Sequence, residues 1–149
     1  MKERGVTLIE MLVVVTIVSL AAGLSYPSLV SGLEALRIND SAAQVANFLS
    51  GAMNRVERRQ QVLELAILPA ENTLRIESPE PGYVRELKIT GAKIHDFAPK
   101  STQNALETHV LYLIPGSVAP RLTIVLANKR GNLRTIRLDP ATGVPVIER

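Results

Sequence analysis

Arg4-Gly5-Val6-Thr7-Leu8-Ile9-Glu10-Met11-Leu12-Val13-Val14 opens the apolar run that sets the plan of this 149-residue chain. From Val6 to Leu33, 18 of 28 residues are apolar and Glu10 is the only charge. Met11 to Leu33 is uncharged for 23 residues. As a helix that run covers about 34 Å, against a bilayer hydrocarbon core of about 30 Å. Lys2 and Arg4 precede it and only Arg37 closely follows. This asymmetry favours a cytoplasmic N-terminus with the remainder outside.

Three readings fit the apolar run by composition. It is an ordinary signal peptide with Ser19-Leu20-Ala21 as cleavage site, a permanent single-span anchor, or a prepilin-type signal whose helix stays on the mature chain. Glu10 separates them. A carboxylate inside an apolar helix costs about 2.5–3.5 kcal/mol on insertion scales, and such a group is usually paired and functional. A signal peptide has no use for it.

The stretch Arg4 to Val14 resembles the prepilin signature of type IV pilins and type II secretion pseudopilins: a basic leader ending in Gly, an apolar residue, then Thr-Leu-Ile-Glu. Val6 stands where that family usually has Phe and keeps the apolar character. The resemblance implies that prepilin peptidase cuts between Gly5 and Val6 and N-methylates Val6. It also implies that Glu10 serves subunit assembly. The Glu10 carboxylate of one subunit would meet the Val6 ammonium of the next, since either charge alone would be stranded in an apolar bundle. Pro27 falls inside the run, where a proline kinks or ends a helix. Pilin-like proteins commonly carry a proline there, and the expectation is a kink.

Past Gly32 the pattern turns amphipathic. Ile38, Ala42, Val45, Leu49, Ala52 and Val56 fall on one helical face, and the helix is expected to run to about Arg59. Arg55, Arg58 and Arg59 near its end complement the macrodipole, which explains them without a ligand; the alternative reading is a phosphate or nucleic-acid patch. Eight β-rich runs follow: Val62–Leu68, Thr73–Glu77, Tyr83–Ile89, Lys93–Phe97, His109–Ile114, Leu122–Ala127, Leu133–Leu138 and Val144–Ile147. Turn signals separate most of them, and Pro99 to Glu107 reads as a loop. The expected fold is α+β: a long N-terminal helix packed on an antiparallel sheet or small β-sandwich.

Two further stretches resemble GspH/FimT-type pseudopilins. One is the helix-to-strand junction Asn54 to Val62; the other is the final hairpin Ile136 to Val144 with its Thr-Gly turn. The resemblance implies a leader peptide at 1–5, a transmembrane and assembly helix at 6–33, an amphipathic helix at 34–60 and a periplasmic β-rich head at 61–149. It implies a minor pseudopilin of the type II secretion pseudopilus, anchored in the inner membrane. Its partners would be prepilin peptidase, other pseudopilins or pilins, and secreted cargo. The rival within the family is a FimT-like minor pilin of a type IV pilus with a role in DNA uptake. Lys129, Arg130, Arg134 and Arg137 are its candidate nucleic-acid patch.

Composition narrows the chemistry. With no cysteine there is no disulfide, thiolate zinc site or Cys nucleophile. A net charge of +3 does not by itself imply nucleic acid, and five aromatics without Trp speak against a dedicated nucleic-acid binder. His95-Asp96 and Glu107-Thr108-His109 each set a histidine near a carboxylate, but no third ligand is evident and no metal is expected. Asp139 reads as turn chemistry. No nucleophile elbow or phosphate loop appears, so neither an enzyme nor a cofactor is expected.

Overall fold

A computed structural model describes residues 7–79, 82–99, 109–117 and 119–148, with 24–29 as helical backbone only. It opens with α1, Leu8–Arg59. Eight strands follow: β1 Leu63–Leu68, β2 Thr73–Glu77, β3 Val84–Lys88, β4 Lys93–Ala98, β5 His109–Leu113, β6 Thr123–Ala127, β7 Leu133–Leu138 and β8 Pro145–Glu148. Every expected strand is present, and no boundary moves by more than one residue. The class is α+β, as expected. The chain divides into two compact units, Met1–Ala35 and Leu36–Arg149.

Within the second unit the strands form two four-stranded sheets, ordered β3-β2-β1-β5 and β4-β6-β7-β8. All pairings are antiparallel. The expectation left open one sheet or a small sandwich; the head has two sheets. The non-local step is β5, which returns past β4 to pair with β1, setting Leu65 opposite Leu111 and Leu63 opposite Leu113.

The amphipathic stripe of α1 supplies one wall of the core. Ile38, Ala42, Val45, Leu49, Ala52 and Val56 are all buried. They join Leu63, Leu65, Ile67, Leu74 and Ile76 of the first sheet with Phe97, Ile124, Leu126, Ile136 and Leu138 of the second. Period-2 alternation explains the strand residues, because i and i+2 share a face. On the outer face of the first sheet, Arg75 pairs with Glu86 across strands at 2.5 Å.

Two local devices were not read from the pattern. α1 ends without a glycine: Gln60 takes φ 52, and its Nε2 donates to the Glu57 carbonyl at 2.7 Å. That bond satisfies one orphan carbonyl of the last turn. Asn72, at φ 56, is the second device. Its Nδ2 donates to the carbonyls of Ile89 (2.6 Å) and Ala92 (2.8 Å), and its Oδ1 accepts from Ile94 N (2.8 Å). One side chain thereby ties the β1–β2 turn to the segment where the chain crosses from the first sheet to the second.

Candidate functional site

The described part of the N-terminal signature begins at Thr7; Gly5 and Val6 lie outside the described residues. Thr7 is the N-cap of α1. Its Oγ1 accepts a hydrogen bond from Glu10 N at 3.3 Å, and its carbonyl accepts from Met11 N at 3.2 Å. Glu10 therefore occupies the third helical position, in the first turn, where the helix dipole favours a negative charge. Sequence reasoning missed the role of Thr7, although Thr-x-x-Glu ahead of an apolar run is the spacing of a capping box.

Beyond the cap the helix is apolar all round. Leu8 is 83% exposed and Ile9 71%, and Met11, Leu12, Val13, Val14, Val15, Ile17, Val18 and Leu20 are exposed as well. Residues on every side of a helix cannot all face one core, so such a surface calls for lipid or other helices around it. Thr16 does not interrupt it: its hydroxyl donates to the Leu12 carbonyl at 2.7 Å and is satisfied within the helix. Among the described residues no helix is long and apolar enough to cross a membrane. The run Met11–Leu33 on which that expectation rests includes 24–29, whose side chains lie outside the description. α1 continues through Pro27, and the kink expected there rests on the same residues.

The four basic residues of the candidate patch are not presented together. Lys129 and Arg130 are exposed in the turn between β6 and β7, where Asn128 Oδ1 accepts from Arg130 N (3.0 Å) and Asn132 N (2.9 Å). Arg134 pairs in register with buried Leu126, which puts it on the core side. From there its Nε reaches Asn39 Oδ1 on α1 at 2.7 Å. Arg137, three residues on, lies on the opposite face and forms an ion pair with Glu148 at 2.7 Å. Alternation along β7 thus divides Arg134 from Arg137.

The histidines also separate. His95 sits at the irregularity of β4 between Ile94 and Asp96 and is exposed. His109 is buried, with its ring 4.4 Å from that of Phe97 on the other sheet. Glu107 lies outside the described residues. Among the described residues no group of three His, Cys, Asp or Glu side chains gathers where a metal would sit. Asp139 caps its own turn, accepting from Ala141 N at 2.8 Å through Oδ1 and from Gly143 N at 2.8 Å through its carbonyl.

Comparison with curated proteins and with solved structures finds no match to this chain. Residues 1–26 match the family described as "Prokaryotic N-terminal methylation motif", and this match supports a type IV pilin-like or pseudopilin chain, one processed by prepilin peptidase and assembled with other pilins.

Proposed function

We propose that this chain is a minor pseudopilin, a structural, non-catalytic subunit of a type II secretion pseudopilus that helps move folded proteins across the outer membrane. The observation that carries this reading is the apolar surface of α1 around Glu10, exposed on all sides immediately behind the Thr7 cap. In this reading the peptidase removes residues 1–5 after Gly5 and methylates Val6. Residues 6–33, kinked at Pro27, first cross the inner membrane and later pack among sister helices. Residues 34–60 carry the helix into the periplasmic head, 61–149, which meets neighbouring pseudopilins or cargo. The FimT-like reading, a type IV minor pilin active in DNA uptake, has less support, because the head does not present Lys129, Arg130, Arg134 and Arg137 on one face.

Glu10 would pair with the Val6 ammonium of the adjacent subunit. Removing one partner of a buried pair costs roughly 3–5 kcal/mol. Glu10→Ala is therefore expected to abolish co-assembly with partner pseudopilins while leaving cleavage at Gly5 intact. Cross-linking of the filament fraction, with N-terminal mass spectrometry of the mature chain, reads both. Unchanged assembly removes the role of Glu10, and a mature N-terminus at Ala22 removes the pilin reading altogether.

A further inference from the structure

Arg55, Arg58 and Arg59 line one open cleft with Gly51 and Asn54. A fourth guanidinium lies beside it on β3: Arg85 Nη1 is 3.9 Å from where a Cβ on Gly51, one of the lining residues, would stand. Arg85 pairs in register with buried Ile76, so it lies on the helix-facing side of its sheet, and Gly51 leaves it room. The Arg55 guanidinium lies 3.6 Å from the centre of the Tyr83 ring, which presents it as a flat, oriented donor. Its Nε is buried with no acceptor among the described residues.

Two carboxylates lie close in sequence to these arginines. Glu57 accepts from Gly116 N at 3.1 Å, and Glu86 pairs with Arg75 on the outer face of the sheet. Among the described residues none of the four arginines forms an ion pair. The helix dipole explains Arg58 and Arg59 at the end of α1. It does not explain Arg85, which arrives from a strand. Three like charges lining one cleft, with a fourth beside it, repel one another unless an anion sits between them.

We infer that this cleft is a binding site for a compact phosphate-type anion, either free or as the headgroup of a phospholipid. Guanidinium forks match the oxygens of phosphate in two-pronged geometry, and such charge-assisted bonds are the strong ones. Arg55, Arg58 and Arg59 line one cleft with Arg85 beside it instead of following a groove, which favours a compact anion over a polymer backbone. The inference stands apart from the secretion reading.

The test uses the full-length chain in non-ionic detergent at low ionic strength, titrated calorimetrically with inorganic pyrophosphate and with glycerol 3-phosphate as the headgroup probe. One-to-one saturable binding of either probe is expected. It should weaken about tenfold or more in Arg85→Ala and in the double variant Arg58→Ala/Arg59→Ala, and stay unchanged in Lys129→Ala. Arg58 and Arg59 are exposed at the helix end, so the double variant keeps the core intact. Arg55→Lys retains charge but loses the fork, and should fall between wild type and Arg85→Ala. Cluster-dependent co-sedimentation of the chain with phosphatidylglycerol vesicles, and not with phosphatidylcholine vesicles, assigns the headgroup; binding of the soluble probes without that preference assigns a free anion. No saturable binding of either probe, binding that survives the double variant, or cluster-dependent binding of a short DNA duplex alone would overturn the inference.

Discussion

Gly91 is the position where one added methyl group tests how α1 is fixed to the head. A Cβ built there lies 2.5 Å from Ser41 Oγ, 2.8 Å from the Arg37 carbonyl oxygen and 3.3 Å from the Arg37 carbonyl carbon. The first contact belongs to a buried side chain whose hydroxyl already donates to that same carbonyl at 2.9 Å. The second is backbone in the middle of α1 and cannot rotate away. Overpacking of this kind costs roughly 1–3 kcal/mol, and a backbone obstacle puts Gly91→Ala near the upper end. The lost freedom of the unfolded chain returns about 0.4–1 kcal/mol. The net is about 2 kcal/mol, a fall of about 8 °C in Tm for a head of this size. Thermal unfolding of the full chain in detergent, followed by its β-sheet signal, measures it. Ser41→Ala should rescue less than half of the loss, because the Arg37 carbonyl remains. A Gly91→Ala chain melting within about 2 °C of wild type, or full rescue by Ser41→Ala, would refute the close approach as its cause.

Gly51→Ala should act with the opposite sign. It lies inside α1, its Cβ would meet only Arg85 Nη1 at 3.9 Å, and alanine should raise stability by about 1 kcal/mol in the same melt. Asn72→Ala should cost about 3 kcal/mol, since it strips three backbone groups of their partner and leaves φ at 56. Asn72→Gly loses the same bonds without the strain and should melt higher than the alanine variant. Arg137→Ala removes an exposed ion pair with Glu148 and should change stability by less than about 0.5 kcal/mol in denaturant titration.

Much of this architecture could be read from periodicity. The stripe Ile38 to Val56 keeps one helical phase because it faces one core, and alternation in β1, β2, β6 and β7 marks the buried faces. The order of strands could not be read so. Whether β5 pairs with β4 or returns to β1 depends on contacts distant in the chain, which local pattern does not encode. The Asn72 hub and the contact of Gly91 with α1 are likewise long-range geometry carried by single residues. The Thr7 cap is legible in the sequence, since Thr7 and Glu10 stand at capping-box spacing ahead of an apolar run.

The arginines show why nearness in sequence misleads about surfaces. Arg134 and Arg137 are three residues apart, an odd step along a strand, so the pleat sends them to opposite faces. One holds Asn39 of α1 and the other pairs with Glu148; each already has a structural task. Arg85 and Arg55 stand 30 residues apart, on a strand and a helix, yet both come beside Gly51 or its cleft without an ion-pair partner among the described residues. A charge committed to an ion pair contributes little to attracting a ligand, because its field is largely cancelled at the distance where the ligand arrives. The arginines at the end of α1 form no ion pair among the described residues, whereas Arg134 and Arg137 on β7 each hold a partner within the head.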